Sequence, residues 1–168
     1  MSIRVGDVAS DFVLRSQHYR NIRLSDFKGR FVVIYFYPKD NEPACTIESC
    51  TFRNHYAEFQ ALDTVILGVS SDSQGSHIHF SEKLNLPFSL LSDIGGRLRK
   101  QWCVPEVLQT RTSHSTSLTR MRFSANQPGR VTYVIDREGV VQHIFQSATK
   151  PQKHVEESLR IVRQLSQH

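Results

Sequence analysis

The chain predicts an α/β protein whose central mixed β-sheet is flanked by helices on both faces. Three features point there. Strand-like apolar runs alternate with helix-like patterns, the signature of a sheet covered by its own connections. Two of the runs, FVVIYFY (31–37) and TVILGVS (64–70), are continuous in β-branched and aromatic residues, as in strands buried on both faces. The last pair, RVTYVID (130–136) and VVQHIFQ (140–146), meets at Arg137-Glu138-Gly139, a hairpin signal that adds antiparallel strands. At 168 residues a single domain, 1–168, is expected.

The elements follow in order. DFVL and NIRL flank the polar turn RSQHYR and read as a short hairpin. After the strand 31–37, Pro38 breaks the run. The segment 45–62 carries Ile47, Phe52, Tyr56 and Phe59 at roughly helical spacing with no glycine or proline inside, so it reads as one helix. The strand 64–70 leads to a helix over 75–86 that stops before Pro87. FSLLSD (88–93) is a short strand and IGGRLRKQW (94–102) a short helix. The segment 107–129 is long, polar and rich in Ser, Thr and Arg, and reads as an irregular loop. PQKHVEESLRIVRQL (151–165) is amphipathic, with Val155, Leu159, Val162 and Leu165 on one side.

Composition narrows the function classes. The net charge of +5 and pI near 9.3 are mildly basic, but the charges are scattered rather than concentrated and interleaved with aromatics, so nucleic acid is not an expected partner. No apolar run is long enough to span a membrane. The first residues, MSIRVGDVAS, lack the apolar core of a secretory signal. A cytoplasmic location is expected, and a processed organellar form would read the same. Three cysteines do not make a disulfide scaffold for this length.

Two of the three, Cys45 and Cys50, lie five positions apart just past the strand that ends near Tyr37. Open α/β sheets place their chemistry beyond the carboxyl ends of the strands. Cys45 falls in the expected first turn of a helix, where the dipole and free N–H groups favour a thiolate. A thiolate attacks electrophiles such as a peroxide oxygen and becomes a sulfenic acid, which a second thiol converts to a disulfide. The helix resists that second step. Five residues put the side chains roughly 140° apart in azimuth and about 7.5 Å apart along the axis, whereas a disulfide needs Cα atoms within about 7 Å. Closure therefore requires the first turns to unwind. Cys103, beside Trp102, reads as a small inert hydrophobe. A zinc site is disfavoured: C-x4-C is at the edge of the usual spacing, and His77 and His79, two apart on a helix, point to different sides. Arg130 and Arg53 are candidate guanidinium donors to a leaving oxygen.

Together these residues resemble the peroxiredoxins of the Q, or bacterioferritin-comigratory, class. The resemblance covers most of the chain and rests on VGDVASDFVL, LSDFKGRFVVIYFYPKD, ACTIESCTFRN and RVTYVIDREGVV; the third is similar to the class motif G-C-T-x-E-x-C-x-F-R-D. It implies a thioredoxin-like fold and thiol-dependent reduction of hydrogen peroxide and organic hydroperoxides. By motif, Cys45 matches the peroxidatic cysteine, Cys50 the resolving one, Pro38 the shielding proline, Arg130 the arginine that holds thiolate and peroxide, and Glu48 the motif glutamate. The implied reductant is thioredoxin or a glutaredoxin-like dithiol, with no metal, haem or flavin. The cysteine pair in one chain fits a monomer or weak homodimer.

One position departs from the pattern. The family reads P-x-x-x-T/S-x-x-C; here the Thr/Ser position is Glu42, and Ala44 replaces a glycine. A hydroxyl both donates and accepts, while an ionised carboxylate only accepts and its charge raises the pKa of a nearby thiol. Three arrangements are open: Glu42 paired with Arg130, Glu42 swung outward with Thr46 supplying a hydroxyl, or Glu42 protonated and buried as a donor. A working but slower or more selective peroxidase is the favoured expectation. The alternatives are a redox sensor that uses a Cys45–Cys50 disulfide as a switch, and a thiol–disulfide exchange protein, against which the absence of C-x-x-C argues.

Overall fold

The computed structural model describes residues 3–104, 106–109 and 125–167. Nine strands and five helices follow one another along these residues: β1 Val13–Ser16, β2 Asn21–Arg23, β3 Phe31–Phe36, α1 Pro43–Asn54, α2 Tyr56–Ala61, β4 Thr64–Ser70, α3 Gln74–Leu84, β5 Ser89–Ser92, α4 Arg97–Gln101, β6 Glu106–Gln109, β7 Ala125–Pro128, β8 Val131–Ile135, β9 Val141–Gln146 and α5 Pro151–Ser166. Seven strands form one mixed sheet in the order β2-β1-β5-β4-β3-β8-β9. β3, β4 and β5 run parallel, with Tyr35 opposite Gly68, and the remaining pairs are antiparallel. Among the described residues no helix is long and apolar enough to cross a membrane.

All six residues of β3 are buried, as its unbroken apolar run requires. Alternate side chains feed two cores. Val32, Ile34 and Phe36 pack with Leu67, Tyr133, Leu98 and Trp102 on the face covered by α4 and the turns around Phe12 and Leu24. Phe31, Val33 and Tyr35 pack with Phe52, Phe59, Phe80, Val155 and Leu159 on the face covered by the other helices. Tyr35 ties the second core to α1: its ring stacks on Phe52 at 4.5 Å and its hydroxyl lies 2.9 Å from Ser49 Oγ. Gly68 makes room for that ring, since a Cβ there would sit 2.8 Å from both Tyr35 Cζ and Leu90 Cδ2.

The loop after β3 is held from behind by a buried polar cluster. Asp40 accepts from the Tyr37 hydroxyl at 2.6 Å and from Ser76 Oγ at 2.8 Å, and lies 2.7 Å from His77 Nδ1. Its backbone N–H donates to Asp72. The polar groups are thereby satisfied, and the strand end is fixed to the start of α3. His77 is buried in this cluster and His79 is exposed, as their spacing predicts.

Three sequence expectations need correction. The helix expected over 45–62 begins at Pro43, a favoured first-turn position, and breaks at His55, whose backbone leaves helical values at φ −103°, ψ 8°. The break lets α1 lie against α5 while α2 turns onto β4. The polar segment 107–129 is not wholly irregular: β6 and β7 pair antiparallel at its two ends, and 110–124 lies outside the described residues. Cys103 is exposed, not buried. The chain turns there through φ +52°, which sends Trp102 inward against Phe12, Phe36 and Tyr133 and leaves the cysteine outside.

Candidate active site

Cys45 is the third residue of α1, and Glu42 is the residue that precedes the helix. Glu42 fills the N-cap position in backbone terms, with its carbonyl accepting from Thr46 N at 2.9 Å, but its side chain makes no capping bond. The carboxylate turns instead to the thiol: Cys45 Sγ donates to Glu42 Oε2 at 2.8 Å. Arg130, from the segment leading into β8, reaches the same two atoms. Its Nη2 lies 3.4 Å from Sγ and 3.3 Å from Glu42 Oε2. β8 pairs with β3, so the sheet itself carries Arg130 to the strand end that precedes Cys45.

The other guanidinium nitrogen, Nη1, donates to Glu48 Oε1 at 3.0 Å. Glu48 is fully buried on α1. Behind it lies His154 of α5, with Nδ1 3.6 Å from Glu48 Oε2 and 2.8 Å from Thr132 Oγ1. His154 Nε2 faces the Ser147 carbonyl at 2.8 Å, so Nε2 carries the proton and Nδ1 accepts from Thr132. Among the described residues Arg130 Nε and Glu48 Oε2 have no hydrogen-bond partner.

The electrostatics are those of one guanidinium shared by three acids. Burial pushes the Cys45 thiol up to about 12, against the pull of Arg130 and a backbone bond from Lys39; the hydrogen bond to Glu42 pushes in the same direction as burial. Burial likewise pushes Glu48 up to about 8, although Arg130 opposes it. Burial works against the Arg130 charge, but Glu48 and Cys45 override it and its pKa is raised. Burial brings His154 down to about 4, so the ring is neutral. The site therefore holds Cys45 as a thiol, and deprotonation requires Glu42 to release it or the pH to rise.

The remaining sequence candidates fall as follows. Pro38 is half-buried, two residues past the end of β3. Thr46 is half-buried, and among the described residues its hydroxyl makes none of the site's hydrogen bonds. Of the three arrangements open for Glu42, the geometry is the pair with Arg130. Arg53 points away, donating to the Leu84 carbonyl at 2.7 Å. Cys50 is half-buried within the unbroken α1, and all three thiols are free. His154 was invisible to motif reasoning. Its one signal is position: it falls on the buried side of α5 with Val155, Ser158, Leu159 and Val162.

Residues 5–144 match the AhpC/TSA family. The chain is 42% identical over 160 residues to the chloroplastic peroxiredoxin Q of Oryza sativa subsp. japonica, covering 95% of this chain and 67% of that protein. It thus spans about two thirds of the length of this plant relative. Among solved structures it resembles peroxidoxin BcpB of Mycobacterium tuberculosis, with a TM-score of 0.81 at 28% identity over 97% of this chain and 98% of that one. It also resembles the bacterioferritin comigratory protein of Xanthomonas campestris, described for its alkyl peroxide reduction activity, with a TM-score of 0.80 at 26% identity over 98% of each chain. The architecture is therefore the thioredoxin-like one that the motifs implied. The chain belongs to the AhpC/TSA family and, within it, to the peroxiredoxin Q thiol peroxidases.

Proposed function

We propose that Cys45 reduces hydrogen peroxide and organic hydroperoxides, that Cys50 resolves the product as an intramolecular disulfide, and that thioredoxin or a glutaredoxin-like dithiol restores the pair. The observation that carries this reading is the Arg130 Nη2–Cys45 Sγ contact of 3.4 Å at a helix N-terminus. The thiolate attacks the terminal peroxide oxygen and the O–O bond breaks. The departing hydroxide or alkoxide takes up a proton and leaves as water or the alcohol, and Cys45 becomes a sulfenic acid. Arg130 steadies the developing negative charge on the departing oxygen. The Cys50 thiol then attacks the sulfenic sulfur, water leaves, and a disulfide forms.

That last step has a structural cost. Cys45 and Cys50 sit on one intact helix, so the start of α1 must unwind. Unwinding through Cys50 breaks the Glu48–Arg130 pair and the Ser49–Tyr35 hydrogen bond. Phe52, stacked on Tyr35 at 4.5 Å, anchors the next turn in the core, so melting is expected to stop there. The expected result is that the disulfide form exchanges amide hydrogens rapidly across 46–50, whose N–H groups the intact helix holds, while 52–54 stay protected. Cys50→Ser should stop at the sulfenic acid and keep α1 protected. Exchange that is unchanged on oxidation would contradict intramolecular closure.

A sensor reading has one supporting observation, the protonated resting thiol held by Glu42. Turnover separates the two: a peroxidase consumes many equivalents of peroxide per chain when a dithiol donor is supplied, and a sensor consumes about one.

A further inference from the structure

Glu42 Oε2, Cys45 Sγ and Arg130 Nη2 form a closed triangle with sides of 2.8, 3.3 and 3.4 Å. A peroxide under attack needs two of those corners. Its reacting oxygen must touch Sγ, and it must accept from the guanidinium. The third corner, where that oxygen belongs, is filled by the Glu42 carboxylate. Cys45 is wholly buried and Glu42 Oε2 lies on its Sγ at 2.8 Å, so an outward move of Glu42 opens the reacting position to substrate. Glu42 is able to move: its side chain is 38% exposed, against 2% for Arg130, and it makes no capping bond to α1.

We propose that Glu42 is a specificity-determining residue, a displaceable carboxylate in the peroxide position that selects uncharged hydroperoxides over those bearing a negative charge near the O–O bond. This rests on Cys45 being the attacking thiol. A neutral hydroperoxide displaces the carboxylate outward, takes its place on Arg130, and frees the thiol from the acceptor that held its proton. An anionic peroxide meets the same carboxylate at the mouth. It must approach a like charge within several ångströms in a partly buried setting, where the penalty is about tenfold in rate. Glu48, the other carboxylate on Arg130, is fully enclosed and faces no incoming substrate.

The test uses one hydroperoxide that carries a carboxylate close to the O–O bond, together with its methyl ester. Rapid-mixing oxidation of reduced protein at low ionic strength should favour the ester by about tenfold in the wild type. Glu42→Gln keeps the shape and removes the charge, and should shrink that preference to about twofold. Added salt should shrink the wild-type preference in the same way. An ester-to-acid ratio identical in wild type and Glu42→Gln would overturn the selection. Cys45→Ser separates the two claims: oxidation of that variant by both compounds at the wild-type rate would overturn the attacking role of Cys45, because the remaining free thiols, Cys50 and exposed Cys103, should react only as simple thiols.

Discussion

Glu42→Thr should oxidise faster in hydrogen peroxide at pH 7, by about tenfold, with a fall of about one unit in the Cys45 pKa. The sign follows from the site. The carboxylate accepts the thiol proton at 2.8 Å and so stabilises the neutral form of Cys45, adding to the burial that pushes its pKa up to about 12. Threonine removes that acceptor charge and offers a hydroxyl that donates to peroxide as well as accepting from it. It also empties the peroxide position. For the wild type the same reasoning gives a rate that climbs with pH through the neutral and mildly alkaline range, because the thiolate fraction grows while the pH stays below the thiol pKa. In the threonine variant the climb should begin at lower pH. Thiolate absorbance against pH and stopped-flow oxidation measure both quantities. A slower variant, or an unchanged pKa, would show that Glu42 assists the chemistry instead of restraining it.

The second large effect belongs to Arg130. Arg130→Gln should lower the rate of Cys45 oxidation by about 100- to 1000-fold, the loss typical of removing one preorganised donor from a developing anion. Arg130→Lys should recover little, because an ammonium cannot span Sγ, Glu42 and Glu48 from one planar fork. Stability should suffer much less than rate. Glu48 is already pushed up to about 8 by burial, so losing its cation makes it hold its proton and avoids a bare buried charge. Circular dichroism and a denaturant titration would separate the outcomes. A variant that unfolds, or one whose oxidation rate falls less than tenfold, would contradict this division of roles.

The order of elements was legible because the strongest signals were local. β3 and β4 are continuous apolar runs and had no other consistent reading. A helix expected from residue 45 put Cys45 in a first turn, and the observed start two residues earlier, at Pro43, leaves it there. What was not legible depended on contacts distant in sequence. The break at His55 comes from α1 and α2 packing on different partners, and nothing in the spacing of Phe52 and Phe59 announces it. β6 and β7 are short and lack apolar alternation, and only their pairing reveals them as strands. Arg130 and Glu48 were both picked out by motif, yet their bond crosses 82 positions and required the sheet order to be seen. Glu42 was recognised as anomalous, but its choice of the thiol over the free N–H groups of α1 depends on where the sheet delivers Arg130. His154 shows the limit most clearly: a histidine on the buried face of an amphipathic helix looks like a packing residue until Glu48 is found beside it.

The most direct test is rapid mixing of fully reduced protein with hydrogen peroxide, with intact mass as the readout. Oxidation orders of magnitude faster than that of a simple thiol, because peroxide displaces Glu42 from the thiol and leaves Arg130 to stabilise the thiolate, ending about 2 Da lighter through a Cys45–Cys50 disulfide, is the expected result. A rate like that of a free thiol, or a sulfenic acid that persists with Cys50 present, would contradict Cys45 attack followed by resolution within the chain.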